Sequence, residues 1–369
     1  MPNNQTSPGL WALAWRRLRA DKLAMASMAV VALFLLLLLL SASGLIVSDW
    51  EDEVGVNYAP PTFAGADSGT DFRAASKAAA AGQATPVNVF DPLADDIRQI
   101  RAQMGEPAGA EVDLYGVVDP LAADLASLRA GLGKAHRQGK AARRETLPFG
   151  ADKWGHDIVK KTIKGGETSI VVGLVAALLA VVLGTLFGAF SGYFGGYIDD
   201  FFNWFYSIFT SIPSILMILT VAAVLQQKGV LTIVLILGLT GWTGPYRLIR
   251  AEYIKHKARE YVMAADAIGA SHWRKMFAHI FPNVSHVALV QMSILVVGFI
   301  KAEVILSFLG FGVPVGVVSW GSMLNEAQNE LILGKWWQLT AAALAMAVLV
   351  TAFSLFTDAL RDALDPKVK

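Results

Sequence analysis

Apolar stretches free of Asp, Glu, Lys and Arg recur along this chain, at 23–48, 168–198, 201–227, 229–246, 276–300 and 336–357. A bilayer hydrocarbon core about 30 Å thick is crossed by roughly 20 apolar residues rising 1.5 Å each. Trimmed to their apolar centres, the stretches predict spans near 24–47, 168–190, 202–225, 229–247, 284–309 and 338–358. Backbone groups facing lipid must be satisfied within their own segment, so runs of this length predict helices. The fourth span is the shortest and its link to the third, 226–229, is tight, which predicts a helical hairpin. The expected fold is an all-α membrane protein with six transmembrane helices.

Lys and Arg near the span ends orient the chain. The N-terminal segment carries Arg16, Arg17, Arg19 and Lys22. The 248–283 loop carries Arg250, Lys255, Lys257, Arg259, Arg274 and Lys275, and the tail Arg361, Lys367 and Lys369. These three segments fall on one side, the cytoplasm, while the opposite short loops hold only Lys228 and Lys335. The reading is N-in, C-in. The first apolar run exceeds a signal-peptide core and lacks a convincing cleavage site, so it reads as a retained span.

Composition fits this picture: 54% of residues are hydrophobic and 17% charged, with no cysteine. Disulfide scaffolds and thiolate metal sites are excluded. The six histidines (136, 156, 256, 272, 279, 286) show no metal-ligand spacing. Residues 49–167 form a large extracytoplasmic insertion between spans one and two, too long for a structureless loop. Within it, 91–133 predicts a pair of amphipathic helices offset by 28 residues: Asp91-Pro92 opens the stripe Leu93, Ile97, Ile100, Met104, and Asp119-Pro120 opens Leu121, Leu125, Leu128, Leu132. They read as helices packed on each other or on the membrane domain, or as a docking element for an external partner. The remaining units are 1–48, with the N-terminus and first span, and 168–369, a five-helix core that includes the loop 248–283.

That loop has the most distinctive pattern. Ala258 to Ala267 reads as a short helix with a small-residue cluster at Ala264, Ala265 and Ala267, following Glu260 and Met263. Gly269 is placed to end it in a left-handed conformation, and Ala270 follows. Ser271 is placed to cap a second short helix to about Ile280, which Pro282-Asn283 is expected to break before the fifth span. Small residues let a helix sink into a groove on another protein, and basic flanks suit an acidic groove or anionic lipid. A membrane-surface helix pair without a partner fits equally well on these grounds.

Ala264-Ala265, Gly269 and His279-Ile280-Phe281-Pro282-Asn283 resemble the EAA loop of permeases in binding-protein-dependent ABC importers, with Met263 where Glu is usual and Phe281 where Leu is usual. Phe149-Gly150-Ala151-Asp152, Gly155-His156-Asp157, Gly192-Tyr193-Phe194-Gly195-Gly196, Leu306-Ser307-Phe308-Leu309-Gly310-Phe311-Gly312, Ser319-Trp320-Gly321 and Asp358–Pro366 resemble the dipeptide, oligopeptide and nickel permeases. The resemblance covers about 1–50 and 147–369. It implies a non-enzymatic permease subunit of an ATP-driven peptide importer in the bacterial inner membrane. The implied partners are two ATP-binding subunits, a homologous permease and an extracytoplasmic solute-binding protein, besides membrane lipid; no nucleic acid is expected. No cofactor is expected on this chain, ATP and Mg being carried by the ATPase subunits. The absence of Gly-x-x-x-x-Gly-Lys-[Ser/Thr] agrees with that division. Glu260, Met263, Ala264, Ala265, Gly269, Ala270, Ser271 and Pro282 are the implied ATPase-coupling residues. The alternatives are the same architecture importing nickel chelates or another small solute, or a self-contained secondary transporter.

Charged residues inside spans are functional candidates by default. Lys301 and Glu303 lie late in the fifth span, on opposite sides of the helix at about 100° per residue. Glu303, with Ser307 one turn on, is the candidate wall of a translocation path or a tie between helices. Lys301 reads either as a snorkelling side chain or as a path residue. Pro213 and Pro245 permit bends in the third and fourth spans, and Gly184, Gly188 and Gly192 allow close helix packing.

Overall fold

The computed structural model describes residues 10–65, 143–314 and 316–364. The helical pair expected at 91–133 lies outside these. Among the described residues the chain is helical, with three isolated β-bridges and no strand. The helices are α1 (Leu10–Ala20), α2 (Lys22–Ala42), α3 (Ile158–Phe194), α4 (Gly196–Thr210), α5 (Ser214–Leu225) and α6 (Val230–Thr240). They continue with α7 (Thr243–Lys257), α8 (Glu260–Ala267), α9 (Phe281–Phe308), α10 (Trp320–Ile332) and α11 (Trp337–Leu364). A π-helical segment, Arg274–Ile280, runs directly into α9.

Among the described residues four helices are long and apolar enough to cross a membrane: α2, α3, the joined 274–308 helix and α11. A fifth crossing results if α4 and α5, bent by 83° at 211–213, are taken as one broken span. The single third span expected at 202–225 is therefore two helices. Pro213 has no N–H to donate and precedes α5 as its cap residue, so the ladder stops there. The expected fourth span, 229–247, is likewise two elements. At 11 residues α6 rises only about 16 Å, and it stops at Gly241 before α7 begins. Pro245 sits in the first turn of α7, where its missing donor costs nothing, rather than in a helix interior.

The second span starts ten residues earlier than its apolar run. Asp157 caps α3 by accepting the Val159 N–H at 2.8 Å, and Lys161 is buried in the first turns beside carboxylates that neutralise it. Helix α3 is the hub of the fold, touching α2, α4, α6, α7, α9, α10 and α11. Its contact with α7 is close. A Cβ added at Gly184, Gly188 or Gly192 would lie 2.6, 2.8 or 2.6 Å from a backbone oxygen of Trp242, Tyr246 or Arg250 respectively. Helix α7 buries Tyr246, Ile249 and Tyr253 in return, so the two backbones pack as a small-residue seam.

Candidate functional site

The cytoplasmic segment expected from the sequence folds as two turns of helix, a reversal and a second helix. Helix α8 ends in a Schellman motif: the Gly269 N–H reaches Asp266 O at 2.9 Å and the Ala270 N–H reaches Ala265 O at 3.0 Å. Gly269 holds φ +77, which a side chain would strain although nothing lies within 4 Å of an added Cβ. Ser271 then caps the next helix, its Oγ accepting the Arg274 N–H at 3.4 Å. Pro282 does not break that helix. The Phe281 N–H bonds Met276 O, five residues back, and this wide turn lets Pro282 enter the first turn of α9 without a lost hydrogen bond.

One face of α8 turns outward. Glu260, Met263, Ala264, Ala267 and Ile268, spaced as one helical stripe, are exposed, with Met263 at 55% and Ile268 at 84%. Ala265 and Val262 point inward and are buried, so Ala265 seats the helix rather than presenting it. Ala270 is half-buried, while Gly269, Ser271 and Pro282 are exposed at the reversal and beyond. Trp273, 62% exposed, extends the apolar outer surface. Ile268 and Trp273 were not among the sequence candidates, although the i+4 spacing from Ala264 places Ile268 on the same stripe.

The segment is clamped to the core. Tyr253, fully buried on α7, donates to Met276 O at 3.1 Å. Tyr193 Oη and His272 Nδ1 lie 2.9 Å apart, and the Lys257 ammonium stands 5.6 Å above the Tyr193 ring. Lys275, expected as part of a basic flank, is instead buried and ion-paired with Asp266. That hydrogen bond and charge hold the Asp266 carboxyl below its ordinary value. Burial lowers His256, which keeps it neutral near pH 7 where it pairs with Tyr261 Oη at 2.9 Å. A cleft of about 300 Å³ lined by Tyr193, Lys257, Met263, Asp266, His272 and Lys275 lies behind α8. Midway along α7, Arg250 makes a bidentate pair with Asp199 (2.5 and 2.6 Å), tying the start of α4 to the same unit.

Glu303 lies elsewhere and is sealed. It is 0% exposed, accepting from Ser169 Oγ and Ser307 Oγ at 2.6 Å each. Ser169 Oγ in turn accepts the Trp320 N–H at 3.2 Å. The carboxylate thus joins α3, α9 and the start of α10.

A second polar layer covers the same end of the bundle. Residues 54–62 and 143–157 are joined by bridges Gly55–Arg144 and Pro61–Leu147. Asp152, fully buried, accepts from the Trp154 and His156 backbone (2.8 and 2.9 Å), from Lys161 Nζ at 2.7 Å, and contacts His156 Nδ1 at 2.9 Å. Burial raises its pKa, but His156 and Lys161 outweigh that and hold it well below the usual carboxylate range. Lys161 also reaches Glu326 at 2.6 Å and Gln338 at 3.3 Å. Beside them Glu330 is 2% exposed, and no side chain hydrogen-bonds its carboxylate, the Lys153 backbone being its nearby donor. Burial, with Asp152 and Glu326 adding to it against Lys161, pushes its pKa to about 7. Among the described residues no group of three or more His, Asp or Glu side chains is placed to hold a metal.

A helical bundle with several helices long and apolar enough to cross a membrane defines a polytopic membrane component. Residues 184–369 match the family described as binding-protein-dependent transport system inner membrane component, and the chain belongs to it. Residues 9–61 match the N-terminal transmembrane domain of oligopeptide transport permease C. The chain is similar to the dipeptide transport system permease protein DppC of Bacillus subtilis, 35% identical over 221 residues, covering 60% of this chain and 69% of the relative. It is similar to the oligopeptide transport system permease proteins OppC of Bacillus subtilis (37% over 221 residues; 60% and 72%) and of Salmonella typhimurium (36% over 219 residues; 59% and 72%).

Proposed function

We propose that this chain is one permease subunit of an ATP-driven importer that moves di- or oligopeptides across a bacterial inner membrane. The names of the similar permeases support peptides as the cargo. The observation that carries the coupling role is the outward stripe Glu260, Met263, Ala264, Ala267 and Ile268, on a helix tied by Tyr261–His256 to α7 and by Asp266–Lys275 to a second arm that is itself held on α3 and α7. A helix that is apolar outward and locked inward is suited to a groove on a separate ATPase subunit. Movement of that subunit then passes through α8 into the α3–α7 seam as a rigid-body shift. Gly269, Ala270 and Ser271 fix the reversal, and Pro282 lets the second arm continue into α9.

Six spans with both termini in the cytoplasm fit this reading, α4–α5 and α6–α7 each serving as one broken crossing. The layer at 54–62, 143–157 and α10 then faces the outside, where a solute-binding protein delivers cargo. A homologous permease completes the pathway, and two ATPase subunits bind ATP and Mg. The test is Ile268→Glu in the assembled transporter. The proposal expects uptake to fall at least tenfold, about 1.4 kcal/mol of coupling, while the chain folds and inserts normally. Unchanged uptake would remove α8 from the coupling role.

A further inference from the structure

Helix α9 buries Val296, Val297, Phe299, Ile300 and Glu303 but leaves one stripe uncovered: Ile294, Gly298, Lys301, Ile305 and Phe308. Their spacing of i, i+4, i+7, i+11 and i+14 keeps them on one face. Nothing lies within 4 Å of a Cβ added at Gly298. Gln291 lies one turn earlier at the edge of this stripe, its Oε1 3.6 Å from a Cβ added at the exposed Gly244 of α7. Among the described residues neither Gln291 nor Lys301 has a hydrogen-bond or ion-pair partner. Both lie inside the apolar length of the 274–308 helix.

An unpartnered amide and an unpartnered ammonium on the same face are costly against hydrocarbon, where no water completes their bonds. Gln291 sits at the α7–α9 crevice, well inside the helix. Lys301 lies seven residues, about 10 Å of rise, from the end of α9, more than a four-carbon stem spans. The other charge in this region is unavailable, because Glu303 is sealed by Ser169 and Ser307. The uncovered face therefore offers a cation with no anion beside it.

Resting on the peptide reading above, we propose that the Gln291–Gly298–Lys301 face of α9 lines the translocation path and that Lys301 receives the C-terminal carboxylate of the peptide. An ammonium in a partly dehydrated passage makes a charge-assisted bond to that carboxylate, and Gln291 and the open Gly298 leave room for the peptide backbone. Weak, single-point recognition of a group common to all peptides suits a path that must release its cargo.

The chain has no cysteine, so single-cysteine variants report accessibility directly. In the assembled transporter in liposomes, Gly298→Cys and Lys301→Cys are expected to react with a charged, membrane-impermeant thiol reagent at least tenfold faster than Leu344→Cys, which is exposed on α11. Dialanine and trialanine should slow that reaction. Equal rates for all three cysteines would overturn the assignment of this face. Separately, the ratio of variant to wild-type uptake is measured for trialanine and for its C-terminal amide, so that the binding protein's own preference cancels. Lys301→Gln should lower the ratio about tenfold for the free carboxylate, leave it near one for the amide, and be rescued by Lys301→Arg. Equal ratios for the two peptides would overturn the carboxylate role. A wild-type complex that moves neither peptide would refute the peptide reading instead, and the labelling would still decide whether the face is aqueous.

Discussion

Replacing Glu330 by Gln removes a buried carboxylate that no side chain hydrogen-bonds, its nearby donor being the Lys153 backbone, while leaving the side-chain volume nearly unchanged. The groups around it are Asp152, His156 and Lys153 on the 143–157 segment, Lys161 on α3, Glu326 on α10 and Tyr58. Its folded pKa of about 7 stands above the ordinary 4.5. The folded protein therefore binds the Glu330 proton more tightly than the unfolded chain does. Below pH 4.5 both states are protonated and there is no penalty. As pH rises from 4.5 through about 7 the folded state must give up a proton it favours, and stability falls. A gap of about two and a half units corresponds to roughly 3 kcal/mol, reduced to about 2 kcal/mol by screening from solvent just above the layer. Thermal unfolding of the detergent-solubilised protein at pH 5.0 to 8.0 measures this. Wild type should lose stability across that range through this group, whereas Glu330→Gln should be flatter and more stable at pH 8. A Glu330→Gln protein that is less stable than wild type at pH 8 would refute the reasoning, since it would mean the carboxylate has a favourable partner there.

Other expected outcomes follow from the same geometry. Gly192→Val would place a Cβ 2.6 Å from Arg250 O and 2.8 Å from Tyr253 Cβ, forcing the α3–α7 seam apart at a cost of about 1–3 kcal/mol; thermal unfolding should show the loss. Gly298→Ala meets nothing within 4 Å and should be neutral or stabilising by up to about 1 kcal/mol through helix propensity. Glu303→Gln turns one acceptor toward two serine hydroxyls into a donor and should lower stability by about 1–3 kcal/mol, with uptake per folded transporter retained. A fall in uptake without loss of stability would return Glu303 to the path. Gly269→Val strains φ +77 by about 1–2 kcal/mol without a clash; it should reduce uptake per ATP hydrolysed while the rest of the chain stays folded.

The helical character and the local fold of the 258–283 segment were legible because they rest on local chemistry. Apolar runs of membrane length, the Gly269 stop and the Ser271 cap are all written in neighbouring residues. Less legible was where a helix continues past its pattern. Lys161 lies buried inside α3 where Asp152 and, from far along the chain, Glu326 and Gln338 neutralise and hydrogen-bond it. The π turn that absorbs Pro282 was not written in the local pattern either, whereas the break at 211–213 follows from Pro213 itself. Charge pattern also misplaced Lys275, which pairs with Asp266 rather than facing outward. For the candidate site, residue type pointed to Ala264, Ala265 and Ala267 together; helix phase buries Ala265 and leaves Ala264 and Ala267 exposed, with Ile268 beside them. In the fifth span, sequence alone left Glu303 and Lys301 open. Burial separates them, sealing one and exposing the other.

The most direct test of the coupling assignment is site-directed cross-linking from α8 in the assembled transporter. A cysteine in place of Ala264 or Ile268, carrying a short bifunctional reagent, should join this chain to an ATPase subunit, with a yield that changes when ATP is added. Ala265→Cys, which faces inward, should cross-link poorly. Joining from Ala265→Cys but not from Ala264→Cys or Ile268→Cys, or no cross-link to an ATPase subunit from any of them, would contradict the account.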